Sequence, residues 1–246
     1  MTTKRKHSPA DPHRVLADLR ILYGHQKWTQ RRKPLDELIY TVLSQHTSDA
    51  NTDRTFASLK SRFPAWRTVQ NASPEEVAEA IKLGGLSRVK APRIRAILDA
   101  IEADRGDLDL GFLERIPMTE ARGWLTALPG VGPKTAACVL LFSFGLPAMP
   151  VDTHVHRVSK RLGFIAEKLS ADKAHPIIES LVDPNDVYQF HINLIEHGRK
   201  VCHARRAACA TCILNEICPS STTNAASPAV SPANRPLTDA PKKRSI

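Results

Sequence analysis

The chain has 246 residues, enough to bury one large core or two smaller ones. Thirty-five Lys and Arg stand against 25 Asp and Glu, a net charge of +10 that suits a polyanionic partner and leaves DNA, RNA and an anionic membrane surface open. No stretch reaches the ~18 apolar residues of a membrane span, and no apolar run follows the charged segment Met1 to Ala10; the expectation is a soluble intracellular protein, in the cytoplasm or nucleoid if bacterial.

Residues 1–10 read as a disordered basic tail, and residues 219–246, rich in Ser, Thr, Ala and Pro, as a second one. Between them the pattern is helical. Asp11 and Pro12 form an N-cap and first helical position, and Val15, Leu16, Leu19 and Leu22 fall on one face. Leu35, Leu38, Ile39, Val42 and Leu43 repeat that spacing. Further starts lie at Ser73-Pro74-Glu75-Glu76, at Thr119 and at Pro184, and Gly163 and Gly198 read as stops. With no alternating apolar run and no turn dipeptide joining strands, the fold class is all-α, built from about ten short helices.

The stretch Leu128-Pro129-Gly130-Val131-Gly132-Pro133-Lys134-Thr135-Ala136-Ala137 joins two helical segments through a turn with two glycines. Amides around Gly130, Val131 and Gly132 can approach a phosphate closely, helped by the N-terminus of the following helix. An ordinary tight helix connection is the competing reading of these residues alone. Downstream, Val151-Asp152-Thr153-His154-Val155-His156-Arg157-Val158 opens a helix with Asp152 as a natural N-cap. His154 and His156 do not share a helix face, which argues against a metal pair.

Five cysteines are too few and too clustered for a disulfide framework in a reducing compartment. Cys138 sits among Ala136, Ala137, Val139 and Leu140 and reads as a core thiol. Cys202, Cys209, Cys212 and Cys218 are spaced C-x6-C-x2-C-x5-C and point to a bound metal, with zinc the alternative to an iron–sulfur cluster. Arg199, Lys200, Arg205 and Arg206 lie in or just before that loop and suit phosphate contact.

The hairpin string resembles the helix-hairpin-helix of the DNA glycosylase superfamily, in its endonuclease III branch. The VDTH string and the cysteine spacing follow in that family's order, and the likeness runs from about residue 12 to residue 218. It implies that Lys134 is the nucleophile and Asp152 the essential carboxylate, that the cysteines hold a [4Fe-4S] cluster, and that Lys134 and Asp152 face each other across a cleft. A lysine suits this chemistry because its neutral amine can attack a sugar C1′ and form a Schiff base. The resemblance further implies a two-domain helix-hairpin-helix glycosylase fold: a six-helix barrel from residues 27–146 and an iron–sulfur domain from residues 11–26 and 147–218.

An enzyme that extrudes a base must fill the gap it leaves. Leu43-Ser44-Gln45-His46-Thr47-Ser48-Asp49 and Gly85-Leu86 resemble the family's two gap-filling segments, with Gln45, His46 and Leu86 as the inserting residues. His46 stands where many members have glutamine, and Ser87 follows Leu86 where an aromatic residue is common, so the resemblance leaves the preferred lesion open. The implied protein is a monomer acting on double-stranded DNA with damaged bases or abasic sites. It removes oxidised pyrimidines and nicks the strand 3′ to the site by β-elimination. A monofunctional mismatch glycosylase and a non-catalytic DNA-binding module are the competing classes; Lys134 speaks against the first and the Lys134–Asp152 pairing against the second.

Overall fold

The computed structural model describes residues 8–223. Among these residues are eleven α-helices and four short 3-10 turns with no strand, which bears out the all-α expectation. Helix α1 (Pro12–Tyr23) starts where the Asp11 carboxylate accepts the His13 amide at 3.1 Å. Val15, Leu16 and Leu19 are buried, but Leu22 is 46% exposed and instead borders a groove with Tyr23, Gln26 and Ile192. In α2 (Pro34–Ser44) all five expected core positions are buried.

Helices α3 (Asp49–Arg62), α4 (Trp66–Asn71), α5 (Pro74–Ala80), α6 (Ser87–Arg105) and α7 (Met118–Ala127) follow. Ser73 and Glu76 open α5 with a reciprocal capping box, as S-x-x-E before an apolar run requires. Helix α7 starts one residue before the expected Thr119. The hairpin leads into α8 (Pro133–Phe144), and α9 (Thr153–Arg161), α10 (Ala171–Glu179) and α11 (Val187–Lys200) complete the order.

Two sequence expectations shift. Pro184 opens a 3-10 turn, Pro184–Asp186, and the α-helix proper begins at Val187. Gly198 is not a stop but lies inside α11, where a Cβ would meet the His154 Cβ at 2.9 Å and Arg157 Nη2 at 3.2 Å. Its missing side chain lets α9 and α11 approach, and Arg157 Nη2 donates to the Gly198 carbonyl at 2.8 Å.

The buried apolar side chains fall into two clusters. One is built from Leu35 through Ala148; the other combines Ala10 and the α1 residues with Cys138, Leu141, Phe142 and residues from Met149 to Leu214. Helix α8 serves both, giving Ala136, Ala137, Val139 and Leu140 to the first and Cys138, Leu141 and Phe142 to the second. It packs against α2 and α7 on one side and α10 on the other, while α11 packs on α1 and α9. Ala10, placed in the N-terminal tail from sequence, is 6% exposed and its amide donates to the Leu162 carbonyl at 2.9 Å. Most of both expected tails, residues 1–7 and 224–246, lies outside the described residues. Among the described residues no helix is long and apolar enough to cross a membrane.

Candidate active site

The hairpin turn closes through the Val131 amide, which donates to the Leu128 carbonyl at 3.1 Å. Gly130 takes φ +71°, which favours glycine, and a Cβ there would sit 2.6 Å from Arg93 Cδ and Nε unless that side chain moved aside. Val131 buries its side chain at 5% exposure, leaving Gly130 and Gly132 as the accessible backbone. Gly132 caps α8 without a side chain, so the first amides of that helix keep their donors for an anion. Lys134 follows in the first turn of α8, partly exposed.

Asp152 caps α9: one carboxylate oxygen, Oδ1, accepts both the His154 amide at 2.8 Å and the Val155 amide at 2.7 Å. That leaves Oδ2 outside the cap. Lys134 and Asp152, each at a helix N-terminus, line one cavity of about 350 Å³. Arg31, Tyr40, Phe142 and His191 also line it. The Arg31 guanidinium stacks 3.9 Å from the Phe142 ring centre and is held from behind by the fully buried Glu37 carboxylate. A flat cation and an aromatic ring thus form one wall.

Sequence reasoning missed Arg31, Tyr40 and His191; the first two come from α2 and the segment before it, the third from α11. Cys138 was expected in the core and is buried, but it also lines this cavity. Its place four residues after Lys134 puts both on one helix face, a signal present in the spacing. Burial raises the Cys138 thiol above its ordinary range, although the Lys134 charge opposes this. Burial pushes the His191 imidazole down to about 4, against the opposing pull of Asp152.

Residues 39–184 match the family of HhH-GPD superfamily base excision DNA repair proteins. The chain is 36% identical over 189 residues to endonuclease III of Thermotoga maritima, covering 75% of this chain and 82% of that protein. It belongs to the endonuclease III family. A similar likeness, 35% over 185 residues, holds for endonuclease III of Bacillus subtilis, covering 75% of this chain and 80% of that protein. A solved non-covalent endonuclease III–DNA complex superposes with a TM-score of 0.74 at 29% identity, covering 92% of this chain and 99% of that one. As a member of a DNA glycosylase family in base excision repair, the protein is an enzyme.

Around the site of this endonuclease III relative, His46 and Leu86 are the two non-glycine residues with left-handed backbone among the described residues, at φ 57° and 53°. Left-handed backbone costs a non-glycine residue about 1–2 kcal/mol and persists where surroundings enforce it. Both side chains are exposed, Leu86 at 55%. The enforcing group is Lys90: its buried amine donates to the Leu43 carbonyl at 2.7 Å and the Gly84 carbonyl at 3.0 Å, tying both segments to α6. Burial lowers the Lys90 pKa. Arg93, one turn on, donates to Gln45 Oε1 at 3.2 Å and packs at Gly130.

In this family member all four clustered cysteines line one cavity of about 370 Å³, more room than a single ion fills. Among the described residues no three His, Cys, Asp or Glu side chains converge on a point as one ion would require. Arg161 donates to Cys202 Sγ at 3.1 Å and to the His203 and Ala204 carbonyls at 2.7 and 3.0 Å, strapping the loop to α9. Burial, with the neighbouring thiols, pushes Cys212 up to about 11 and raises Cys218. Four thiolates can gather here only with a cationic group between them, which fits a metal cluster. Arg199 and Lys200 are spent on Asp49 and Glu196, whereas Arg205 and Arg206 are exposed and make no ion pair among the described residues.

Proposed function

We propose that the protein is a bifunctional DNA glycosylase and abasic-site lyase that removes oxidised pyrimidines from duplex DNA. The observation that carries this reading is Lys134 and Asp152 brought to one cavity by two helix N-termini. The unprotonated Lys134 amine attacks C1′ of an extruded nucleotide as the bond to the base breaks, and the electron pair leaves with the base. Asp152 stabilises the positive charge that develops on the sugar and assists deprotonation of the amine. Collapse to a Schiff base acidifies the C2′ proton; its removal expels the 3′ phosphate by β-elimination, and water then frees Lys134.

Gln45, His46 and Leu86 fill the gap left in the duplex, while the amides of Gly130 and Gly132, with Arg205 and Arg206, hold phosphates. The two apolar clusters serve as the two domains, a six-helix barrel over residues 27–146 and a cluster domain over 11–26 and 147–218, with α8 shared between them. Cys202, Cys209, Cys212 and Cys218 would hold a [4Fe-4S] cluster, whose contribution in this reaction is structural. The enzyme acts as a monomer on DNA carrying damaged bases or abasic sites.

Borohydride trapping on duplexes with an oxidised thymine or an abasic site tests the mechanism. The wild type should form a covalent adduct on both and Lys134→Ala on neither. Tight binding without an adduct would leave a hydrolytic glycosylase or a binding module. Absorbance near the visible charge-transfer band of the purified protein, lost in Cys212→Ser, tests the cluster.

A further inference from the structure

The cavity that holds Lys134 and Asp152 contains a cation with no task in the mechanism above. Three Lys or Arg side chains line it: Lys134 is the nucleophile, Arg199 donates to Asp49 at 2.5 Å, and the third is Arg31. Arg31 lies just before α2 and is fixed by three contacts. Its Nε and Nη2 donate to the Glu37 carboxylate, Nε at 3.1 Å, and Glu37 is fully buried. The guanidinium carbon stands 3.9 Å from the centre of the Phe142 ring, and the Arg31 backbone amide donates to the Phe142 carbonyl at 3.1 Å. Nη1 makes no hydrogen bond among the described residues, and the side chain is 41% exposed, so a ligand can reach the guanidinium although not the carboxylate behind it.

Partial burial alone would lower the Arg31 pKa, but the bond to Glu37 more than offsets this and raises it, so the positive charge is permanent. That charge sits among the reacting groups. The buried Cys138 thiol feels Lys134, Arg31 and Asp152 together, and so does the His191 imidazole. A fixed flat cation beside an aromatic ring suits a flat base that carries carbonyl oxygens. As the bond from C1′ to the base breaks, the electron pair left on the ring nitrogen spreads onto those oxygens. A cation already in place stabilises that charge without reorganising, and it gains more from the departing anion than from the neutral base.

We infer that Arg31 is a catalytic residue for base release, stabilising through Nη1 the negative charge on the departing base. The inference rests on the reading of this cavity as the glycosylase site. The bond from Lys134 Nζ to C1′ forms as the bond from C1′ to the base breaks, and the pair leaves with the base. The proton shed by the Lys134 amine, passed through Asp152, then neutralises the base anion. Asp152 and Arg31 thereby take the two opposite charges of one transition state. An abasic nucleotide brings the same sugar and phosphates into the cavity but has no leaving base.

That asymmetry provides the test. Single-turnover rates are measured for wild type and Arg31→Met on three duplexes carrying, at one position, 5-hydroxymethyluracil, 5-formyluracil or an abasic site. The formyl group withdraws electrons and stabilises the base anion by itself; the hydroxymethyl group does so far less. Arg31→Met should release 5-hydroxymethyluracil ~10–100-fold more slowly, lose less on 5-formyluracil, and cleave abasic DNA within a few-fold of wild type. Because Arg31→Met leaves the buried Glu37 only Arg32, at 3.4 Å, as a cationic partner, the double variant Arg31→Met with Glu37→Gln carries the same test should the single one fail to fold. Equal loss on all three duplexes would assign Arg31 to a phosphate, to Lys134 or to the fold, and would overturn the inference. Equal loss on the two bases alone would make Arg31 a reader of base shape and would also overturn it, as would undiminished excision. Should the wild type release base without forming a borohydride adduct on abasic DNA, the lysine mechanism fails, while the two bases still decide on Arg31, since attack by water sends the same electron pair to the base.

Discussion

Replacing Asp152 by Asn and by Ala separates two roles that one side chain combines. Both hydrogen bonds of the α9 cap fall on Oδ1, from the His154 and Val155 amides at 2.8 and 2.7 Å. Asparagine carries the same oxygen and is an equally good N-cap, so Asp152→Asn should lose only the interaction of a negative charge with the helix N-terminus, about 0.3–1 kcal/mol. Asp152→Ala loses the cap as well, about 1 kcal/mol more, which at this chain length corresponds to roughly 2–4 °C in Tm. Base excision should not follow that order. Both variants lack the carboxylate facing the sugar, so single-turnover excision on damaged duplex should drop by ~10²–10⁴ in each. Thermal unfolding and excision rates on the same preparations give the answer. Excision by Asp152→Asn within tenfold of wild type would refute the electrostatic role and leave Asp152 as a cap alone.

Lys90→Met keeps the length of the side chain but strips two buried carbonyls of their donor; urea unfolding should show a loss of about 1–3 kcal/mol. The same variant should weaken binding to damaged duplex, because the His46 and Leu86 segments lose their common anchor. Double substitution Arg205→Ala with Arg206→Ala should weaken binding to damaged and undamaged duplex alike and reduce the slope of log affinity against log salt by about 1–2. His191, faced by Arg31, Lys134, Asp152 and the Pro150 carbonyl, has a folded-state value of about 4 against 6.5 for a free imidazole. Below pH 6.5 the unfolded chain takes up its proton first, so stability declines as pH falls to about 4, by roughly 3 kcal/mol from this group. Urea unfolding at pH 7 and pH 4.5 should show His191→Phe to be less acid-sensitive than wild type, and an identical pH slope would contradict this.

What sequence patterning made legible was local. Helix starts with a cap and a proline, at Asp11-Pro12 and Ser73-Pro74, declare themselves because both residues act within one turn. Lys134 and Asp152 were found through strings that also fix backbone shape. Gly198 misled because a glycine near the end of an apolar repeat resembles a helix stop, whereas here it makes room for His154 on another helix. Leu22 misled because helical spacing assigns a face without saying where the packing partner ends. The cavity wall was illegible for a related reason: Arg31, Tyr40 and His191 meet Lys134 only after α2, α8 and α11 pack. Nothing in the spacing of those three residues encodes that meeting.

The placement of strain follows from the same architecture. Helix α8 is buried along nearly its whole length and belongs to both apolar clusters, so Lys134 at its N-terminus is carried on the most constrained element of the fold. Opposite demands fall on His46 and Leu86, which must stay exposed and hold an unfavourable backbone with no apolar packing of their own to enforce it. One buried amine solves both cases at once, since Lys90 grips a carbonyl just before each segment. The same helix, α6, then reaches the hairpin through Arg93, which donates to Gln45 and lies against Gly130. Three surface segments that are far apart in sequence are therefore registered to one another by two basic side chains a single turn apart, and the register is set before any DNA arrives.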